Sequence, residues 1–74
     1  MKSYVLIITD DYHTAQLVTA EDWNKLPIED RVEIILLADV VSQTTNPDIP
    51  ENNDELAELI NNSIPITNAE EEIC

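Results

Sequence analysis

Tyr4-Val5-Leu6-Ile7-Ile8-Thr9-Asp10-Asp11 opens with five large or β-branched residues in a row and is cut off by two aspartates. The run is too short for an ordinary helix and shows no polar alternation, so it reads as a β-strand buried on both faces. His13-Thr14-Ala15-Gln16-Leu17-Val18-Thr19 follows, alternates loosely, and completes an N-terminal β-hairpin. The chain contains no glycine. A tight two-residue turn with positive φ is therefore disfavoured, and a longer loop placing Asp10 or Asp11 in that conformation is expected.

Beyond the hairpin, Thr19-Ala20-Glu21-Asp22 has the form of a helix start. A hydroxyl can cap free N–H groups there, and carboxylates sit at the positive end of the dipole. A short helix to Leu26 is expected, interrupted by Pro27. Residues 28–42 then carry a longer helix, with Ile28, Val32, Ile35, Leu36 and Val40 on one face and Glu29, Arg31 and Glu33 outward. Ile34, Leu37 and Val41 make its second half apolar nearly all round, which calls for burial on both sides. A strand over residues 32–41 is the competing reading. Thr44-Thr45-Asn46-Pro47-Asp48-Ile49-Pro50 is a linker by its prolines and turn formers. Pro50 can open a helix over residues 51–61, with Leu56, Leu59 and Ile60 as a narrow apolar stripe. Ile64-Pro65-Ile66-Thr67 suits a short edge strand, where proline is tolerated. The resulting expectation is a small single α+β domain over residues 1–67, the hairpin packed on two to three helices, with a mobile acidic tail over residues 68–74.

With 74 residues the chain has room for one small domain. Its single cysteine, Cys74, excludes an intrachain disulfide framework and any all-cysteine zinc site. The N-terminal apolar run is shorter than a secretory signal requires, and no stretch approaches a membrane span, so a cytoplasmic protein is expected. Asn61-Asn62-Ser63 matches a glycosylation sequon and is read as a chance match.

Sixteen acids against three bases give a net charge of -13. Phosphate repels such a chain, which argues against direct binding of nucleic acid or an anionic membrane and points to basic protein surfaces as partners. The charge is uneven. Residues 1–43 hold eight acids and three bases, net -5, whereas residues 44–74 hold eight acids and no base, net -8.

Little points to catalysis. His13 and Cys74 would have to form a nucleophile–base pair on the final residue, and Asp10 with Asp11 would need a pocket to tune them. A turn role suits His13, Asp10 and Asp11 better. EF-hand spacing fails from Asn46 and from Asp48, which place Pro50 at a ligand position, so no metal and no cofactor is expected. On a helix through residues 51–62, Glu51, Glu55 and Glu58 fall at i, i+4 and i+7. Their spacing is a few ångströms, comparable to successive phosphates on a DNA strand. Asp54, Asp48 and the tail residues Glu70, Glu71 and Glu72 widen this row. The plainer reading is a solvated face kept acidic for solubility. Trp23 either closes the core over the hairpin or anchors a partner, and Leu37 with Val41, if exposed, would form a homodimer seam.

Small size, strong acidity and the lack of glycine or catalytic residues resemble, at the level of strategy, the DNA-mimic inhibitors carried by phages and mobile elements. These occupy the nucleic-acid site of a CRISPR effector, restriction enzyme, repair protein or polymerase. The resemblance covers composition and no motif, and it transfers no residues. It implies a non-enzymatic inhibitor. The alternative is a structural or regulatory interaction module, antitoxin-like or oligomer-forming, that uses its apolar helix while its acids serve solubility.

Overall fold

The computed structural model describes residues 2–68. Its elements run β1 (Tyr4–Thr9), β2 (Thr14–Thr19), α1 (Ala20–Lys25), α2 (Ile28–Leu37), β3 (Val40–Thr44), α3 (Asn53–Asn61) and β4 (Ile64–Pro65). The four strands form one antiparallel sheet in the order β2-β1-β3-β4, so the fold is α+β. β1 is internal. Tyr4 pairs with Thr19 and Thr9 with Thr14 on one edge, while Tyr4 pairs with Thr44 and Ile8 with Val40 on the other.

The alternation of β1 then sorts the helices. Val5 and Ile7 point to one face, where they meet Trp23 of α1, Ile34 and Ile35 of α2, and Val41 and Ile66. Leu6 and Ile8 point to the other and meet Leu56 and Leu59 of α3. Successive strand residues face opposite ways, so one short strand anchors two apolar layers. All four of these β1 residues are buried, as an apolar run without polar alternation requires.

The hairpin turn solves the missing-glycine problem by a costly route: Asp10, Asp11 and Tyr12 all take positive φ, at 54°, 53° and 69°. Aspartate tolerates this region better than most residues. The turn is tied down by the Tyr12 N–H donating to Asp39 Oδ2 at 3.2 Å and by the Thr14 hydroxyl donating to Asp10 Oδ2 at 3.3 Å. Thr19 caps α1 as expected, its Oγ1 accepting from the Asp22 N–H at 3.1 Å.

Two expectations for residues 28–42 are corrected. The helix stops at Leu37, Ala38 turns extended, and the Asp39 N–H donates to the Ile8 carbonyl at 2.8 Å, which starts β3. Neither an unbroken helix nor an unbroken strand therefore describes this stretch. The second edge of β1 decides it: its backbone groups are buried and need a partner, and β-branched Val40 and Val41 suit a strand. The packed face of α2 also differs. Ile34, Ile35 and Ala38 turn to the sheet, whereas Ile28, Val32 and Leu36 turn outward. Entry into β3 beside β1 fixes Ala38 against the sheet and rotates the helix accordingly. Val40 lies off the helix altogether and packs with the Leu6–Ile8 layer.

Candidate functional site

α3 carries three acids, Asp54, Glu55 and Glu58, and no base. Pro50 does not open it. Asn52 does, its Oδ1 accepting from the Asp54 N–H at 2.8 Å while its carbonyl accepts from the Leu56 N–H at 2.9 Å. Asparagine is among the best caps, and Asp54 and Glu55 in the first turn complement the dipole. The signal was in the sequence, in Asn52 followed three residues later by Glu55. Glu51 thus precedes the helix, and the expected row of Glu51, Glu55 and Glu58 is not formed.

What the helix presents instead is a triangle. Leu56 and Leu59 point into the core, leaving Asp54, Glu55 and Glu58 exposed. Asp54 and Glu58 lie four residues apart and Glu55 and Glu58 three, so each pair is separated by about 5–6 Å at the Cβ atoms. Glu55 and Glu58 also border a groove of about 640 Å³ between α3 and the β3–β4 edge, with Gln43, Asn46 and Asn62 along its walls. Two carboxylates on the border of one groove form an acceptor site for a guanidinium or ammonium group. Asp48 is exposed in the preceding loop, its N–H donating to Asn46 Oδ1 at 3.0 Å. Glu70, Glu71 and Glu72, with the expected tail from residue 69 onward, lie outside the described residues.

The apolar candidates divide. Trp23 is fully buried in the layer with Val5, Ile7 and Val41, so it closes the core and offers no anchor. Val41 is 6% exposed and belongs to the same layer, so it forms no seam. Leu37, in contrast, is 75% exposed and its neighbour Leu36 is 77%. Ile28 and Val32 are also exposed, and no residue of α2 is fully buried although six of its ten positions are apolar. Sequence reading identified the apolar excess of this helix but missed Ile28, Val32 and Leu36 as surface residues. The available signal was quantitative: a core this small cannot cover a helix that is apolar nearly all round.

Asp10 and Asp11 lie in the hairpin turn, and the His13 Nδ1 donates to the Asp10 carbonyl at 2.7 Å. Among the described residues no group of three His, Cys, Asp or Glu side chains is placed to hold a metal ion. Among them, too, no helix is long and apolar enough to cross a membrane. Comparison with protein-family models, with curated proteins and with solved structures finds no match to this chain.

Proposed function

We propose that this protein is a non-enzymatic inhibitor that binds the basic, nucleic-acid-binding surface of a host enzyme, acting in the host cytosol. The observation that carries the reading is the exposed Asp54–Glu55–Glu58 triangle on α3, in a part of the chain that holds eight acids and no base. Like charges at these spacings destabilise a helix by roughly 0.2–0.5 kcal/mol per pair. Asp54 and Glu55 offset this at the positive end of the helix, but Glu58 lies beyond the first turn with no lysine beside it, so its charge serves a partner of opposite sign better than it serves the fold. In this mode the carboxylates occupy positions that phosphates otherwise fill, and the groove beside Glu55 and Glu58 receives an arginine or lysine from the enzyme. Long-range attraction from the net charge of -13 speeds the encounter.

The test is competition. Purified restriction, CRISPR, repair and polymerase enzymes are assayed with increasing DNA substrate and with increasing salt. Expected is inhibition of at least one that DNA and salt both relieve, and that the triple variant D54N/E55Q/E58Q loses. Inhibition unaffected by DNA concentration, or undiminished in the triple variant, would sink the reading.

A second reading is favoured by a different observation, the exposed leucines of α2. It makes the protein a structural or regulatory interaction module, antitoxin-like or self-associating, in which the acids serve solubility. Retention of partner binding at high salt by the α3 triple variant would select it.

A further inference from the structure

The outward side of α2 is organised in ridges. Ile28, Val32 and Leu36 follow one another at four-residue spacing, and beside them run Glu29, Glu33 and Leu37. Residues so spaced stack along a helix, so an apolar ridge lies next to one that begins acidic and ends in leucine. On the far flank of the second ridge, a groove of about 460 Å³ opens between α2 and the sheet, floored by Ile7, Ile34 and Ala38 and rimmed by Asp30, Glu33 and Leu37. No lysine or arginine lines it.

We propose that this side of α2 docks a cationic amphipathic helix of another protein. Apolar side chains of that helix pack along Ile28, Val32 and Leu36 and fill the groove beside Leu37. Its lysines or arginines lie along Glu29, Asp30 and Glu33. Charge selects this occupant. A second copy would bring another net charge of -13 and a second Glu29, Asp30 and Glu33 into the seam, against a single base on each α2, Arg31. Unpaired carboxylates at an interface core are strongly disfavoured. A purely apolar partner would desolvate Glu29 and Glu33 without compensation, whereas a basic one pairs them within the contact. The inference rests on the partner being basic, as in the reading above, but not on its being a nucleic-acid enzyme.

The full chain, labelled with 15N, is titrated with a designed helical peptide of about 14 leucine and lysine residues in amphipathic spacing. Two control peptides replace every leucine by serine or every lysine by glutamate. Expected are amide shifts concentrated on α2, Ile7 and Gln16, and binding weakened at least about tenfold in the double variant L36S/L37S. Both leucines are three-quarters exposed, so that variant should keep the rest of the spectrum and its fold. Equal binding of the serine peptide, or shifts confined to α3, would show that charge alone is recognised and overturn the proposal while leaving the α3 reading intact. Equal binding of the glutamate peptide would overturn the charge argument. Concentration-dependent shifts on α2 without peptide would assign the face to a second copy instead. D54N/E55Q/E58Q should leave peptide affinity within about twofold, since its carboxylates lie on the opposite side of the sheet; a large loss there would place the peptide on α3 and overturn the α2 site.

Discussion

Three consecutive residues without glycine at positive φ are a local strain that the sheet maintains. Each costs on the order of 1 kcal/mol relative to glycine, least for aspartate. Among the described residues the Asp11 side chain makes no hydrogen bond, unlike that of Asp10, so relieving it removes strain without removing a tie. Asp11→Gly should therefore raise stability by about 1 kcal/mol, read as a higher urea midpoint at unchanged slope. Asp11→Asn is the control, because asparagine tolerates the same region and removes only the charge. A midpoint raised equally by both would attribute the gain to electrostatics. Ser42 offers a second case. It is 1% exposed, faces the Leu6 layer through its pairing with Leu6, and its Oγ finds no partner among the described residues. A buried hydroxyl without a bond costs about 1–3 kcal/mol, so Ser42→Ala should stabilise by about 1 kcal/mol by chemical denaturation. Loss of stability would reveal a bond the hydroxyl makes.

At the level of elements, what was readable followed the range of the forces involved. β1, the hairpin and the Thr19 cap are local, set by runs of apolar residues and by one hydroxyl, and they were legible. The end of α2 was not, because the preference of Val40 and Val41 for a strand is realised only once β1, more than thirty residues earlier, presents an open edge. The rotation of α2 was hidden for the same reason: an all-round apolar helix carries no internal mark of which side the sheet will take. For α3 the acids were identified but the start was misplaced by two residues, enough to remove Glu51 from the surface it was expected to share. That surface carries a conflict that one substitution can expose. Glu58→Lys replaces two repulsive pairs, with Asp54 and Glu55, by attractive ones and puts a base nearer the C-terminal end. It should stabilise the protein by about 0.5–1 kcal/mol. Binding of the basic partner should fall at least about tenfold in the same variant. A variant both more stable and fully active would remove α3 from the interface.

For the whole molecule the balance is between a thin core and a large charge of one sign. The shortest extent is only 15 Å, and the three helices among the described residues are divided between two sides of one sheet. Lys25 pairs with Glu21 at 3.5 Å, but both side chains are largely exposed, so the bridge contributes little. Self-repulsion should therefore show in the melting temperature. Raising sodium chloride from about 10 mM to about 0.5 M, which shrinks the screening length from about 30 Å to a few ångströms, should raise Tm by about 5 °C. A flat or falling Tm would mean that paired charges outweigh crowded ones. The internal position of β1 has a further consequence, in the order in which the chain is made. Its first edge is closed by β2 within a few residues, but its second waits until residues 40–44 have been synthesised. Meanwhile Val5, Leu6, Ile7 and Ile8 stand beside an open strand edge, the form most prone to pairing with another chain. A chain stopped at residue 39 should accordingly aggregate where the full chain does not, as light scattering would report. In the growing polypeptide, the five-unit excess of negative charge over residues 1–43 acts before there is any fold to destabilise; it slows encounters between nascent copies for the short time until β3 arrives, without removing the open edge that a permanently truncated chain keeps.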